Sequence, residues 1–393
     1  MQKFRIILFF MLTILISCNW SKNNANSALE EPVEPILKPT LPLEKIHKID
    51  SLISKYLIQR HYNGNVLVAY KGYPISRKTL GYRNLATKER LDFNTAFQLA
   101  SVSKSFTAMA VLILKERGKL SLDDLVQKYM PDFPFNNVTI KHLLQHTSGM
   151  PNYMFFVDNS WKDDMPLTNE DVLKILNINK PTLSFEPGKR HIYSNTGYAM
   201  LALLVERISG QPFYKFLDEN IFIPLRMKHT FAWNKAAIDT IHNVANGYSR
   251  PGFKYRSIEH VPLDEVLGDK SIYSTIDDLL KYEQAWHNYK LISKNSTIEA
   301  FTPVVTNSKR IQKYGYGWRL TDFEGRKVIY HNGLWNGFTS SLTRYVDDSL
   351  TVILINNTNA HVGPMVKEIY AIIENEINTT DSKQIVRSGG KNK

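Results

Sequence analysis

Apolar side chains recur at Ile46, Ile49, Ile53 and Leu57. This is the spacing of a helical stripe, so Leu43 to Arg60 is expected to be a helix. Gly64 to Arg83 follows a different period. Asn-Val-Leu-Val-Ala-Tyr from Asn65 leads into Lys71-Gly72 and a second extended run, which predicts a β-hairpin. Residues of about 100 to 300 read mainly as helices and ordered loops. The clearest helix runs from Ser101 to Arg117: it holds no Gly or Pro, places Phe106, Met109, Ala110, Ile113 and Leu114 on one face, and meets Gly118 as its C-terminal stop. Extended runs return between Tyr314 and Asn356, and Val366 to Ile377 predicts a last amphipathic helix. This order predicts an α+β (mixed α/β) fold. One antiparallel sheet is drawn from both ends of the chain, about 43–95 and 305–378, and flanked by the terminal helices, while about 96–304 forms a mostly helical lobe. A cleft between two such lobes is a common substrate site.

The extreme amino terminus breaks this pattern. Lys3 and Arg5 precede Ile6 to Ile16, which is apolar except for Thr13. The stretch is short for a bilayer span but suits a secretory signal. It ends in Leu15-Ile16-Ser17-Cys18, which resembles a bacterial lipobox, with Cys18 as the lipidated first residue after cleavage of 1–17. A plain cleaved signal and a buried apolar helix with an incidental thiol are the alternatives. Residues 18–42, rich in Asn, Ser, Glu and Pro, read as a tether from a membrane anchor at Cys18 to the folded part, which implies an extracytoplasmic place in a cell envelope.

Composition adds limits. With 43% hydrophobic and 22% charged residues, the 393-residue chain is an ordinary globular protein. Its single cysteine excludes an intramolecular disulfide and a Cys-rich zinc site. The net charge of +12 becomes +10 once Lys3 and Arg5 leave with the signal. Part of the excess sits in 379–393, read as a basic flexible tail, and the rest is scattered, which argues against a nucleic-acid surface.

Ser101 and Lys104 are three apart on the predicted helix and therefore neighbours on its surface. A serine hydroxyl attacks well only when a nearby base takes its proton, and a desolvated lysine is more readily neutral. Ser-x-x-Lys alone is a weak signal; Ser388-Gly389-Gly390-Lys391 matches it too. Tyr193-Ser194-Asn195 has an equally bland counterpart in Tyr82-Arg83-Asn84. His331-Asn332-Gly333 competes with a simple hairpin reading, because Asn-Gly between strands marks a turn and Asn336-Gly337 repeats it.

Taken together, these segments resemble the class C β-lactamase, D,D-peptidase and esterase family of serine hydrolases, from about Asn63 to Asn356. Ser101-Val102-Ser103-Lys104 resembles the nucleophile motif, and His142 to Pro151 the His-Thr-Ser-Gly loop. Phe185-Glu186-Pro187-Gly188 with Tyr193-Ser194-Asn195 is similar to the segment bearing the second catalytic motif. Ile272 to Thr275 with Asp277-Asp278-Leu279 is similar to a further segment, and His331-Asn332-Gly333 falls where the third motif belongs. The resemblance implies a β-lactamase/transpeptidase-like fold over 43–378. It implies Ser101 as nucleophile, Lys104 and Tyr193 as proton carriers, with Tyr193 assisting as a phenolate or through a shared proton, and Asn195, His331 and Gly333 on the substrate. The backbone N–H groups of Ser101 and Leu334 would hold the oxyanion. His331 stands where many members have lysine, so recognition of a substrate carboxylate is expected to be weaker. His146 is assigned to a structural loop. No metal or other cofactor is implied. The substrate is a small molecule or peptide: a D-amino-acid peptide, an ester or a β-lactam. The contrasting reading is a surface lipoprotein that binds peptidoglycan-like ligands without turnover.

Overall fold

Helix α1 (Leu43–Gln59) buries Ile46, Ile49, Ile53 and Leu57, the stripe that its spacing requires. In the computed structural model, residues 41–160, 167–250, 252 and 254–388 are described. The proposed signal, most of the tether and Cys18 lie outside the described residues.

Strands β1 (Gly64–Tyr70) and β2 (Tyr73–Leu80) turn back on each other through Lys71 and Gly72, at φ of 50° and 81°. Two consecutive positive φ values match the twist of a hairpin, and glycine reaches them without steric cost. The rest of the sheet comes from the other end of the chain: β3 (Arg319–Phe323), β4 (Arg326–Trp335), β5 (Phe338–Tyr345) and β6 (Leu350–Asn356). The order is β3-β4-β5-β6-β1-β2, antiparallel throughout, with Gly64 opposite Asn356.

Both faces of this sheet are covered. Val66, Val68, Val352 and Leu354 pack against α1 and the C-terminal helix. Leu67, Ala69, Ile353 and Ile355 join the core built with α2 (Ser103–Glu116) and α3 (Asn195–Ser209). Burial on both sides explains why β1 and β6 read as unbroken apolar runs instead of alternating. Helix α2 is buried from Ser103 to Leu114, so it runs through the middle of the fold and carries its first turn to the edge of β4.

One boundary differs from the sequence expectation, and the two readings of Asn332-Gly333 are decided between. The final helix, α4 (Val362–Ser388), continues eleven residues past the expected Ile377 boundary and into the stretch read as a basic tail. No Gly or Pro interrupts Asn378 to Ser388, and the first breakers are Gly389-Gly390. Asn332-Gly333 lies within β4, while Asn336-Gly337, at φ of 43° and 84°, makes the β4–β5 turn. Among the described residues, no helix is long and apolar enough to cross a membrane.

Candidate active site

The nucleophile candidate sits on a strained entry to α2. Instead of opening an α-helix, Ser101 is the middle residue of a 3₁₀ turn, Ala100–Val102, and Ala100 takes φ of 49°. A non-glycine residue in this left-handed region costs energy and persists only where its surroundings enforce it. Here β4 and β5 do so. An added Cβ at Gly333 would lie 2.1 Å from Leu99 O and 3.0 Å from Ala100 Cβ, so only glycine lets β4 approach this closely. Ser340, opposite Gly333 on β5, donates its hydroxyl to Leu99 O at 2.6 Å. The clamp therefore fixes the residues immediately before Ser101.

Lys104 is fully buried, with Nζ 3.1 Å from Ser101 Oγ, and donates to the backbone carbonyl of Asp269 at 2.7 Å. Burial pulls its pKa down to about 7; the Asp269 carboxylate opposes this and Arg319 reinforces it. The Tyr193 ring centroid is 4.9 Å from Lys104 Nζ. Desolvation lifts the Tyr193 phenol above its ordinary pKa, outweighing its hydrogen bond with Ser101 and the nearby Arg319. Of the two roles that the resemblance allows Tyr193, a phenolate or a shared proton, this direction favours the second, with Lys104 as the group that more readily gives up its proton near neutrality. Environments that drive two titrating groups apart in this way separate the base from the proton donor.

Asn195 is the first residue of α3, and its amide reaches Met154 Sδ at 3.7 Å. His146 supports the same segment from below: its Nδ1 accepts the Ser194 N–H at 3.2 Å, and its ring lies 4.3 Å from that of Tyr193. Leu334 lies on the stretch of β4 beyond Tyr330, where pairing with β3 has ended. Its side chain is exposed.

His331, which the resemblance puts on the substrate, has its ring inside the protein. The ring is wholly buried, with Nδ1 2.8 Å from Asn332 O and Nε2 3.3 Å from Tyr314 OH. Burial, reinforced by the charges of Lys104 and Arg319, holds the imidazole neutral.

The cation that sequence reasoning missed is Arg319, at the start of β3. Its guanidinium lies 5.2 Å from the Tyr193 ring centroid and 5.9 Å from that of Tyr314. It is partly exposed, and among the described residues it has no salt bridge to a carboxylate. The only sequence signal was its place twelve positions before His331, which becomes meaningful once β3 pairs Arg319 with Tyr330.

A serine on the turn that leads into α2 and a buried lysine in the first turn of that helix, held against the end of β4 that β3 leaves unpaired, have the arrangement of a serine-hydrolase site. The chain belongs to the β-lactamase family, whose sequence pattern, described as Beta-lactamase, matches residues 49–375. Penicillin-binding protein 4* of Bacillus subtilis strain 168 is 35% identical over 310 residues, covering 76% of this chain and 69% of that protein. The putative penicillin-binding protein PbpX of the same organism is 26% identical over 94% of each chain. Among solved structures, FmtA from Staphylococcus aureus superposes with a TM-score of 0.71 at 24% identity, over 83% of this chain and 88% of that one. A D-amino acid amidase from Ochrobactrum anthropi, complexed with L-phenylalanine amide, gives 0.70 at 21% identity over 86% and 99%. These two share the fold.

Proposed function

We propose that this chain is an exported serine hydrolase that forms and hydrolyses an acyl-enzyme at Ser101, acting on D-amino-acid peptides and amides or related esters. The observation that carries the proposal is the 3.1 Å separation of Ser101 Oγ from a lysine whose pKa burial pulls down to about 7. Neutral Lys104 takes the hydroxyl proton while Oγ bonds to the substrate carbonyl carbon. The resulting oxyanion is held by the backbone N–H groups of Ser101 and Leu334. Asn195 orients the substrate amide. Tyr193 passes its proton to the leaving group and recovers one from the Lys104 ammonium; water then repeats the attack and frees the acid. His331, Gly333 and Ser340 hold the strand edge and the nucleophile turn in place.

Intact-mass spectrometry with a fluorophosphonate and with a fluorescent β-lactam tests the proposal. One adduct is expected, on the peptide containing Ser101, together with turnover of a p-nitrophenyl ester and a D-amino acid amide. An adduct on another serine sinks the assignment, and a stable adduct without turnover of either substrate sinks the hydrolase.

Arg319 offers the positive charge that His331 does not. Replacing it with glutamine is expected to lower kcat/KM for a substrate bearing a carboxylate by about tenfold relative to a neutral ester, the scale of one charge-assisted hydrogen bond. Equal losses on both substrates would remove Arg319 from substrate recognition.

Export rests on the amino terminus. We propose that 1–17 is cleaved and that Cys18 carries the acyl chains of a membrane anchor. A clickable fatty acid should label the wild type and not Cys18→Ala; an unlabelled wild type refutes the anchor.

A further inference from the structure

A second buried lysine stands beside the first, and none of the acyl-transfer steps uses it. Lys270 is 3% exposed and Asp269 1%. Lys270 Nζ lies 3.4 Å and 3.3 Å from the two Asp269 carboxylate oxygens and donates to Tyr153 OH at 2.6 Å. Tyr153 OH donates in turn to Asp269 Oδ2 at 3.2 Å, closing a buried three-membered polar cluster. The backbone carbonyl of the same Asp269 accepts from Lys104 at 2.7 Å, so the cluster and the candidate base share one residue.

A carboxylate this close to a catalytic lysine is a hazard. It favours the ammonium, and an ammonium cannot accept the Ser101 proton. A buried carboxylate is also costly unless paired. Lys270 answers both needs. We infer that Lys270 is a positioning residue for proton transfer: by pairing with the Asp269 carboxylate, it keeps that charge from holding a proton on Lys104. The inference rests on the acyl-enzyme reading of Ser101.

Among the described residues, no other group facing Lys104 takes over the part of Asp269. From β3, Arg319 presents a positive charge. His146, from the loop before Ser148, and His331, from β4, are held neutral by burial. The phenols of Tyr193 and Tyr198, at the start of α3, are lifted by desolvation and stay protonated. The remaining acid near Lys270 is Asp264, and its carboxylate already accepts from Trp335 Nε1 and Asn336 Nδ2 on the β4–β5 hairpin. Asp269 is therefore the carboxylate whose charge Lys104 feels most, and Lys270 is the cation paired with it.

The test is kcat/KM against pH for a neutral ester, measured on activity that Ser101→Ala removes. Lys270→Met is expected to move the acid limb upward by about one pH unit, the effect of an uncompensated opposite charge. Asp269→Asn is expected to move it downward. The double variant, with both charges removed, and Lys270→Arg, with both kept, should lie near the wild type. If Lys270→Met does not fold, the opposed shift of Asp269→Asn and its recovery in the double variant carry the same test. A loss of activity uniform across pH, with the limb unmoved, would make Lys270 merely structural and overturn the inference. So would an acid limb that Lys270→Met leaves unmoved at full activity. A wild type that forms no adduct on Ser101 would instead overturn the acyl-enzyme reading.

Discussion

Ser101→Ala is expected to lower ester and amide turnover by at least about 10⁴-fold, the scale on which loss of a nucleophile acts. It should also abolish the covalent adduct. The fold should barely respond, because the side chain sits on a 3₁₀ turn fixed by its neighbours: Leu99 O by the Ser340 hydroxyl and Ala100 by close approach of Gly333. A change of thermal midpoint of only a degree or two beside a collapsed kcat is the expected combination. Retained turnover in this variant would mean that the chemistry belongs to another residue.

Lys104→Met is expected to cost about 10²- to 10⁴-fold in kcat/KM, the range of a general base. In the wild type the acid limb should have its midpoint near the Lys104 value of about 7. The sign follows from the role: the neutral amine accepts the proton, so activity rises with pH through that value. The variant should lose this limb along with the rate. Methionine fits the same buried space but leaves the Asp269 carbonyl without its donor, so a folded variant with a stability loss of about 1–3 kcal/mol is expected. A variant that kept both the rate and the limb would exclude Lys104 as the base.

Much of the fold was legible from hydrophobic period alone. The α1 stripe, the β1–β2 hairpin and the closing strands follow from local patterns that packing then satisfied. The Ser101–Lys104 pair was legible for the same reason, since three residues on a helical turn must be neighbours. What escaped was set by contacts between distant segments. Asn332-Gly333 carries the local signature of a turn, yet its ladder with β5 keeps it in a strand, and the need for glycine there comes from the backbone of Leu99. His331 was read from its motif position, whereas its role depends on Tyr314, which buries one of its nitrogens. The proton on Tyr193 could not be read from a spacing, because desolvation depends on everything packed around the ring. Arg319 and Lys270 carry ordinary charges in unremarkable segments, and only the folded chain brings them to the lysine.

The pairing of β1 with β6 has a consequence for how the protein is made. Asn356 Nδ2 donates to Asn63 O across 293 positions of sequence, and the strands that clamp the Ser101 turn leave the ribosome long after the serine does. Contacts of such long sequence separation form late and slow folding. A chain that has reached α2 possesses its serine and lysine but lacks the β4 residues that clamp the Ser101 turn. A chain cut before β4 and β5 should therefore be chemically silent toward acyl donors.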